Sequence, residues 1–328
     1  MSRPRTHGSG EREEPMRQSR MASGRALLAV VISIAGGSWW AEAREPAAAA
    51  EPLTVMSFNI RYGTAADGDN AWPNRRERVI RCIQNANPEL LGTQEMLAFQ
   101  RDELADGLPG YTTVAAGRDD GREAGEMTGI FYRTARFEER DAGHFWLSPT
   151  PEEVGSKGWD AALPRIASWV RLRDRRQPEG RELLFLNTHF DHRGRVARRE
   201  SARLIRRWLS EQAADCRVIV TGDFNAAEGS EPYEALFGDA EGEGDPRRLP
   251  LLDTLRAVQP QRGPNEGTFT GFDASQTSGA RIDWIGCSAD WQILSAAIDR
   301  TSEEGRTPSD HAAVTAVLIA RRASTTQQ

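Results

Sequence analysis

Between residues 53 and 320 the chain alternates short apolar, β-branched runs with charged connections containing Gly and Pro. Many of the runs carry a polar residue at one edge. Residues 53–60 predict a strand closing near an amide, Asn59, and residues 89–95 a second strand closing on a carboxylate, Glu95. Between them Pro73 opens a predicted helix with Val79, Ile80 and Ile83 at helical spacing, ended by Asn87-Pro88. Residues 97–108 read as a helix stopped by Pro109-Gly110. Strands are predicted at 126–133, 145–147, 166–173 and 182–190, the last two paired around a turn at 175–180. A long Arg-rich helix follows at 196–213. The run 216–220 leads into Thr221-Gly222-Asp223-Phe224-Asn225, then a short helix at 233–237. The last predicted strands are 280–286, 291–298 and 312–318. No internal period and no break in composition divides residues 53–320, so the pattern predicts one large α/β domain with functional loops at one edge of its sheets.

The formal net charge of −6 argues against a protein that coats nucleic acid through a broad basic face, while leaving room for a local basic groove. Lys157 is the single lysine. Arg25 precedes an apolar run at 26–34, and Ala41-Glu42-Ala43 fits a signal-peptide cleavage site. The apolar run is too short for a confident membrane span. The expectation is a lead and signal peptide at 1–43, a linker at 44–52, a folded domain at 53–321 and a polar tail at 322–328, with Met21 as a possible true start. Export to the periplasm or medium follows, with an uncleaved membrane anchor as the alternative. Cys82, Cys216 and Cys287 are far apart and odd in number; small core residues are the favoured reading and one disulfide the other.

The candidate chemistry lies at the strand ends: Asn59, Glu95, Glu126, His189, Asp223, Asn225, Asp283, Asp310 and His311. Asp223 and Asn225 are two residues apart, which points them the same way at the end of a strand. A carboxylate that activates water beside an amide that binds a phosphate oxygen is half of a hydrolytic site. Each position also has a structural alternative. Gly222, Asp223 and Asn225 are turn formers, Asn59 and Glu95 could cap strands, His189 could be a core histidine, and Ser309-Asp310-His311 a helix cap. Asp283 lies between Ile282 and Trp284, where a lone buried carboxylate is costly and needs a partner.

Together, Ser57-Phe58-Asn59, Gln94-Glu95, Asn187-Thr188-His189, Gly222-Asp223-Phe224-Asn225, Arg281-Ile282-Asp283 and Ser309-Asp310-His311 resemble the endonuclease/exonuclease/phosphatase superfamily, deoxyribonuclease I-like, in a secreted bacterial branch. The resemblance covers nearly all of residues 53–320. It implies a four-layer α/β (α+β) sandwich: two mostly antiparallel β-sheets flanked by helices, with the active site at one end. It implies Glu95 as the main Mg²⁺ or Mn²⁺ ligand, helped by Asn59 and Asp310. Asp223 would orient or deprotonate the attacking water, Asn225 would bind phosphate, and Asp283 would pair with His311. Glu126 would pair with His189, as in the deoxyribonuclease I branch, making His189 a general acid or phosphate clamp; a loop-edge charge is the other reading of Glu126.

The loops 67–75, 118–123, 146–165 and 191–193 are the expected substrate selectors, with Trp72, Trp146, Trp159 and Trp169 as stacking or packing residues. The expected function is an exported Mg²⁺-dependent phosphoesterase, cleaving a diester or monoester by in-line attack of activated water. Its partner would be a small, lipid-linked or sugar-linked phosphate ester. A secreted nuclease and a non-catalytic binding module on the same fold are the alternatives. The chain is expected to act as a monomer without stable membrane insertion after cleavage.

Overall fold

The computed structural model describes residues 51–213, 215–239 and 249–321. The signal-peptide segment, the linker up to residue 50, most of the acidic loop 239–245 and the tail 322–328 lie outside the described residues.

Twelve strands form two six-stranded sheets. The first holds β1 (Leu53–Asn59), β2 (Leu90–Met96), β3 (Tyr111–Val114), β4 (Met127–Arg133), β11 (Trp291–Ile298) and β12 (Val314–Ala320), in the order β11-β12-β1-β2-β4-β3. The second holds β5 (Phe137–Trp146), β6 (Ile166–Asp174), β7 (Glu182–His189), β8 (Cys216–Asp223), β9 (Leu251–Asp253) and β10 (Asp283–Ser288), in the order β5-β6-β7-β8-β10-β9. Each sheet is antiparallel except at one central pair: β1 with β2, and β7 with β8. The architecture is the expected sandwich with α+β content. Helices α1 (Trp72–Ala86) and α2 (Ala98–Gly107) pack on the first sheet; α3 (Arg195–Gln212) and α4 (Glu231–Phe237) pack on the second. The short α5 (Thr254–Val258) follows β9.

Three apolar layers follow from the period-2 alternation of side chains along each strand. Val55, Leu90, Phe185, Ile219 and Ile285 face inward and fill the space between the sheets. Met56, Phe58 and Leu91 face the opposite way, against Val79, Ile83 and Leu104 of α1 and α2. Leu184, Leu186, Val218 and Val220 meet Ala202, Ile205 and Leu209 of α3. Strands buried on both faces read as continuous apolar runs, which is why the sequence betrays the central ones so clearly.

The elements the sequence hides are at the sheet edges. β3, β5 and β9 are edge strands, and β5 runs for ten residues where only 145–147 is apolar enough to predict. Its Glu138, Glu139, Arg140 and Asp141 are largely exposed, with a register shift between Glu139 and Asp141. Charges and bulges suit an edge, where unpaired backbone groups would otherwise invite association. Cys82, Cys216 and Cys287 are buried and unpaired, as the core reading expects. No helix of the described residues is long and apolar enough to cross a membrane.

Candidate active site

The two parallel pairs explain why the polar residues converge. Parallel neighbours end at the same edge, so β1 and β2 deliver Asn59 and Glu95 together, while β7 and β8 put His189 directly beside Asp223 in register. β10 runs the other way, so its first residue, Asp283, pairs with Asp223.

Along the inward faces, apolar residues give way to polar ones and then to the candidate chemistry: Val55, Ser57, Asn59 on β1; Phe185, Asn187, His189 on β7; Ile219, Thr221, Asp223 on β8. The middle residues form a buried polar layer between the sheets. Gln94 Nε2 donates to Asn187 Oδ1 at 2.7 Å and to Ser57 Oγ at 3.1 Å. Thr221 Oγ1 donates to Asn187 Oδ1 at 3.0 Å, and Asn187 Nδ2 donates to the Thr93 and Gly129 carbonyls at 2.8 and 2.9 Å. This buried network leaves only Gln94 Oε1 without a partner, and its bonds fix one arrangement of the two sheets. Gly92 belongs to the same layer: a Cβ there would lie 2.2 Å from Thr221 Oγ1.

Above this layer Asn59 Nδ2 donates to Asp223 Oδ2 at 3.0 Å and to Glu95 Oε1 at 3.1 Å. Glu95 has φ +58° within the register shift between Thr93 and Met96 of β2, and Asn225 has φ +47°. Left-handed backbone at non-glycine residues costs about 1–3 kcal/mol and persists where the surroundings impose it, typically at functional sites. The Asn225 amide N–H donates to Asp223 Oδ1 at 2.9 Å; its Nδ2 lies 3.0 Å from His189 Nε2 and donates to the Phe190 carbonyl at 3.1 Å. Asp283 finds its required partner in His311, Oδ2 to Nδ1 at 3.0 Å.

Burial and the neighbouring Asp283 push the Asp223 carboxyl up to about 7. Burial opposes a charge on His311, yet Asp283 and Asp223 outweigh it and raise the ring to about 10, so it is an imidazolium at neutral pH. Burial, reinforced by Arg165 and Arg118, holds His189 well below its ordinary value, so that ring is neutral and accepts from Asn225 through Nε2. Glu126 stands 3.8 Å from His189 Nδ1, beyond hydrogen-bond length; its carboxylate instead accepts from Arg118 Nη1 at 2.8 Å.

The oxygens of Glu95, Asp310 and Asn59 are the donors the resemblance assigns to a divalent ion. Glu95 Oε2 and Asp310 Oδ2 lie 3.9 and 3.6 Å from the guanidinium of Arg61, and burial pushes the Asp310 carboxyl up. Oxygen donors alone, two of them carboxylates, fit a hard cation such as Mg²⁺ or Mn²⁺. Two further groups cluster tightly, Glu95 with His189 and Asp223, and Asp223 with Asp283 and His311.

Two further residues, Arg75 and Ser309, brace this end. Arg75, buried in α1, donates to the carbonyls of Asn70, Ile60, Arg61 and Pro308, tying the chain after Asn59 to the chain before Asp310. Ser309 Oγ donates to the Asn59 carbonyl at 2.7 Å. Only the fold shows that a lone arginine in a predicted helix meets both segments.

The groups open into one cleft of about 730 Å³. Of the expected selector loops, 146–165 contributes Leu163 and Arg165, and 191–193 contributes His192. The loops 67–75 and 118–123 do not line it. Neither do the four tryptophans: Trp72 and Trp146 are buried, and Trp169 packs on Trp208. Two aromatic side chains line the cleft, Tyr62 and Phe269, the latter 52% exposed and edge-on to His311 at 5.3 Å between ring centres. Phe269 opens a segment, 269–279, that carries no sequence motif.

The sequence model of the Endonuclease/Exonuclease/phosphatase family matches residues 56–311. An endonuclease/exonuclease/phosphatase family protein from Bacteroides thetaiotaomicron is 34% identical, with a TM-score of 0.75 over 83% of this chain and 99% of its own. A mannosyl-6-phosphatase from the same species is 35% identical, with a TM-score of 0.73 over 81% of this chain and 99% of its own. D. rerio TDP2, solved with a single-strand DNA product, is 17% identical with a TM-score of 0.63 over 82% of this chain and 99% of its own, a likeness of fold alone. With that match across most of its length, the chain belongs to the Endonuclease/Exonuclease/phosphatase family of phosphate-ester hydrolases.

Proposed function

We propose that the protein is a Mg²⁺-dependent phosphoesterase that hydrolyses a small, sugar-linked phosphate monoester, and that it works outside the cytoplasm after removal of residues 1–43. The observation that carries the catalytic reading is the convergence of Asn225, His189, Asp223 and the His311–Asp283 pair in the cleft that also holds Glu95 and Asp310. The likeness to a mannosyl-6-phosphatase along nearly its whole length supports a sugar phosphate.

Asp223, held near neutrality and fixed by Asn59 and the Asn225 amide, is suited to take a proton from the attacking water. The charged His311 ring, oriented by Asp283, offsets negative charge that grows on the phosphoryl oxygens. Asn225 would supply an amide donor to the same oxygens by exchanging its bond to His189 Nε2 for one to the phosphate. Glu95, Asn59 and Asp310 would hold the divalent ion, which when bound polarises the phosphate and offsets its charge.

The lining carries two arginines, Arg61 and Arg165, against four carboxylates, Glu95, Glu126, Asp223 and Asp310. That balance suits one phosphate partnered by a metal better than a polyanionic strand. Phosphate release from mannose 6-phosphate, cleavage of bis-p-nitrophenyl phosphate and nicking of supercoiled plasmid would be measured with Mg²⁺ and with EDTA. Mg²⁺-dependent release of phosphate from the sugar ester is expected. Plasmid nicking without it would turn the reading to a nuclease; no turnover of any ester by a metal-binding chain would turn it to a binding module.

A further inference from the structure

Just beyond His189 the chain turns toward α3 through Asp191, His192, Arg193 and Gly194. Asp191 is a buried anchor. Its Oδ1 accepts from the amides of Arg193 and Gly194 at 2.9 and 2.7 Å; its Oδ2 accepts from the Leu163 amide at 3.2 Å and from Arg165 Nε at 3.5 Å. Arg165, itself buried, reaches His192: Nη2 lies 3.0 Å from Nδ1. A guanidinium only donates, so Nδ1 of His192 is the acceptor and the proton of the neutral ring is on Nε2. Burial, and next Arg165, hold His192 below its ordinary pKa, which keeps the ring in that neutral form.

His192 and Leu163 both line the cleft, and Leu163 is 36% exposed. The cations of this wall already face carboxylates: Arg118 bonds Glu126 at 2.8 Å, and Arg165 faces Asp191 as well as Glu126 at 3.9 Å. What the wall offers a substrate is therefore a neutral N–H donor beside an apolar side chain. That combination fits a group bearing hydroxyl oxygens on a carbon face, and fits a second phosphate or carboxylate poorly.

We propose that His192, with its tautomer set by Arg165 and Asp191, is a specificity-determining residue that donates from Nε2 to a hydroxyl oxygen of a polyhydroxylated leaving group, while Leu163 packs on that group's carbon skeleton. This rests on the phosphate-ester reading above and adds what separates one ester from another. A site built around a substrate hydroxyl discriminates against the analogue that lacks it, because its donor is then left unpaired.

The test is a ratio: kcat/KM for mannose 6-phosphate over kcat/KM for phenyl phosphate, both measured on one preparation so that the active fraction cancels. In His192→Phe the ratio is expected to fall about tenfold or more, through KM for the sugar ester; His192→Gln, which keeps an N–H donor, should recover part of it. A ratio in His192→Phe within about twofold of the unmodified chain overturns the proposal, whatever the absolute rates. If the unmodified chain releases phosphate from neither monoester, the monoester reading has failed. The same rule then applies to glycerophosphocholine against bis-p-nitrophenyl phosphate. A chain that hydrolyses none of the four esters overturns both.

Discussion

The side-chain amide of Asn59 lies 3.0 Å from the Asp223 carboxylate, and through that contact the first sheet touches the second at the floor of the cleft. The same nitrogen donates to Glu95 at 3.1 Å, so one amide orients the water-activating candidate and a metal-binding candidate together. Asn59→Ala leaves a buried carboxylate oxygen of Asp223 without this donor. A loss of about 1–3 kcal/mol in stability is expected, with a fall in kcat of about a hundredfold. Chemical denaturation and initial rates on the same variant check both; an unchanged kcat would mean the contact is structural only.

Glu95 should govern the response to metal. Mg²⁺ that binds only the folded chain raises its melting temperature, by mass action. A rise is expected for the unmodified chain as Mg²⁺ is titrated in, and its loss, or a shift to at least about tenfold higher Mg²⁺, in Glu95→Gln. Calorimetric melts with and without EDTA read this directly, independently of turnover. An equal response in the two chains would remove Glu95 from the metal site.

Asp283 should set the alkaline end of the activity profile. His311 is raised to about 10 against the opposing effect of burial, chiefly by Asp283, so its charged form persists through the neutral range. In Asp283→Asn the ring loses its proton at lower pH. The alkaline limb of kcat/KM should move down by about one unit or more. A limb that stays put would mean His311 does not act as an imidazolium.

A pH-dependent stability effect is expected away from the site, at His144. Burial lowers this ring to about 4, and it lies 2.9 Å from Ser168 Oγ. Because the folded value is below the unfolded one near 6.5, the unfolded chain takes up the proton first. There is no penalty above that pH, and the folded state weakens as pH falls from about 6.5 toward 4. Denaturation midpoints for the unmodified chain and His144→Gln should diverge over that window by about 1–2 kcal/mol between pH 6.5 and 5, the variant being the less acid-sensitive. Parallel curves would exclude His144 as the cause.

Gly92 tests the polar layer. A Cβ would meet Thr221 Oγ1 at 2.2 Å and Asn187 Oδ1 at 2.5 Å, atoms that are themselves hydrogen-bonded to each other at 3.0 Å. Gly92→Ala should destabilise by about 1–3 kcal/mol, since the layer can yield only by giving up bonds. An unchanged denaturation midpoint in Gly92→Ala would argue that the sheets part easily.

By itself the sequence determined the central strands, because burial on both faces leaves an apolar run that local composition reveals. It determined the polar residues that end those runs as well, since Asn59, Glu95, His189, Asp223 and Asp283 interrupt otherwise apolar stretches. Tertiary structure alone decided the rest. The edge strands β3, β5 and β9 have one neighbour each; β3 and β9 are only four and three residues long and most of β5 is charged, so little local marks them. Which polar groups meet depends on parallel pairing between segments far apart in the chain: β1 with β2, β7 with β8, and Asn59 with Asp223 across 164 residues. Protonation was decided there too: burial opposes charge on both His189 and His311, but Asp283 and Asp223 outweigh it at His311, while Arg165 and Arg118 reinforce it at His189.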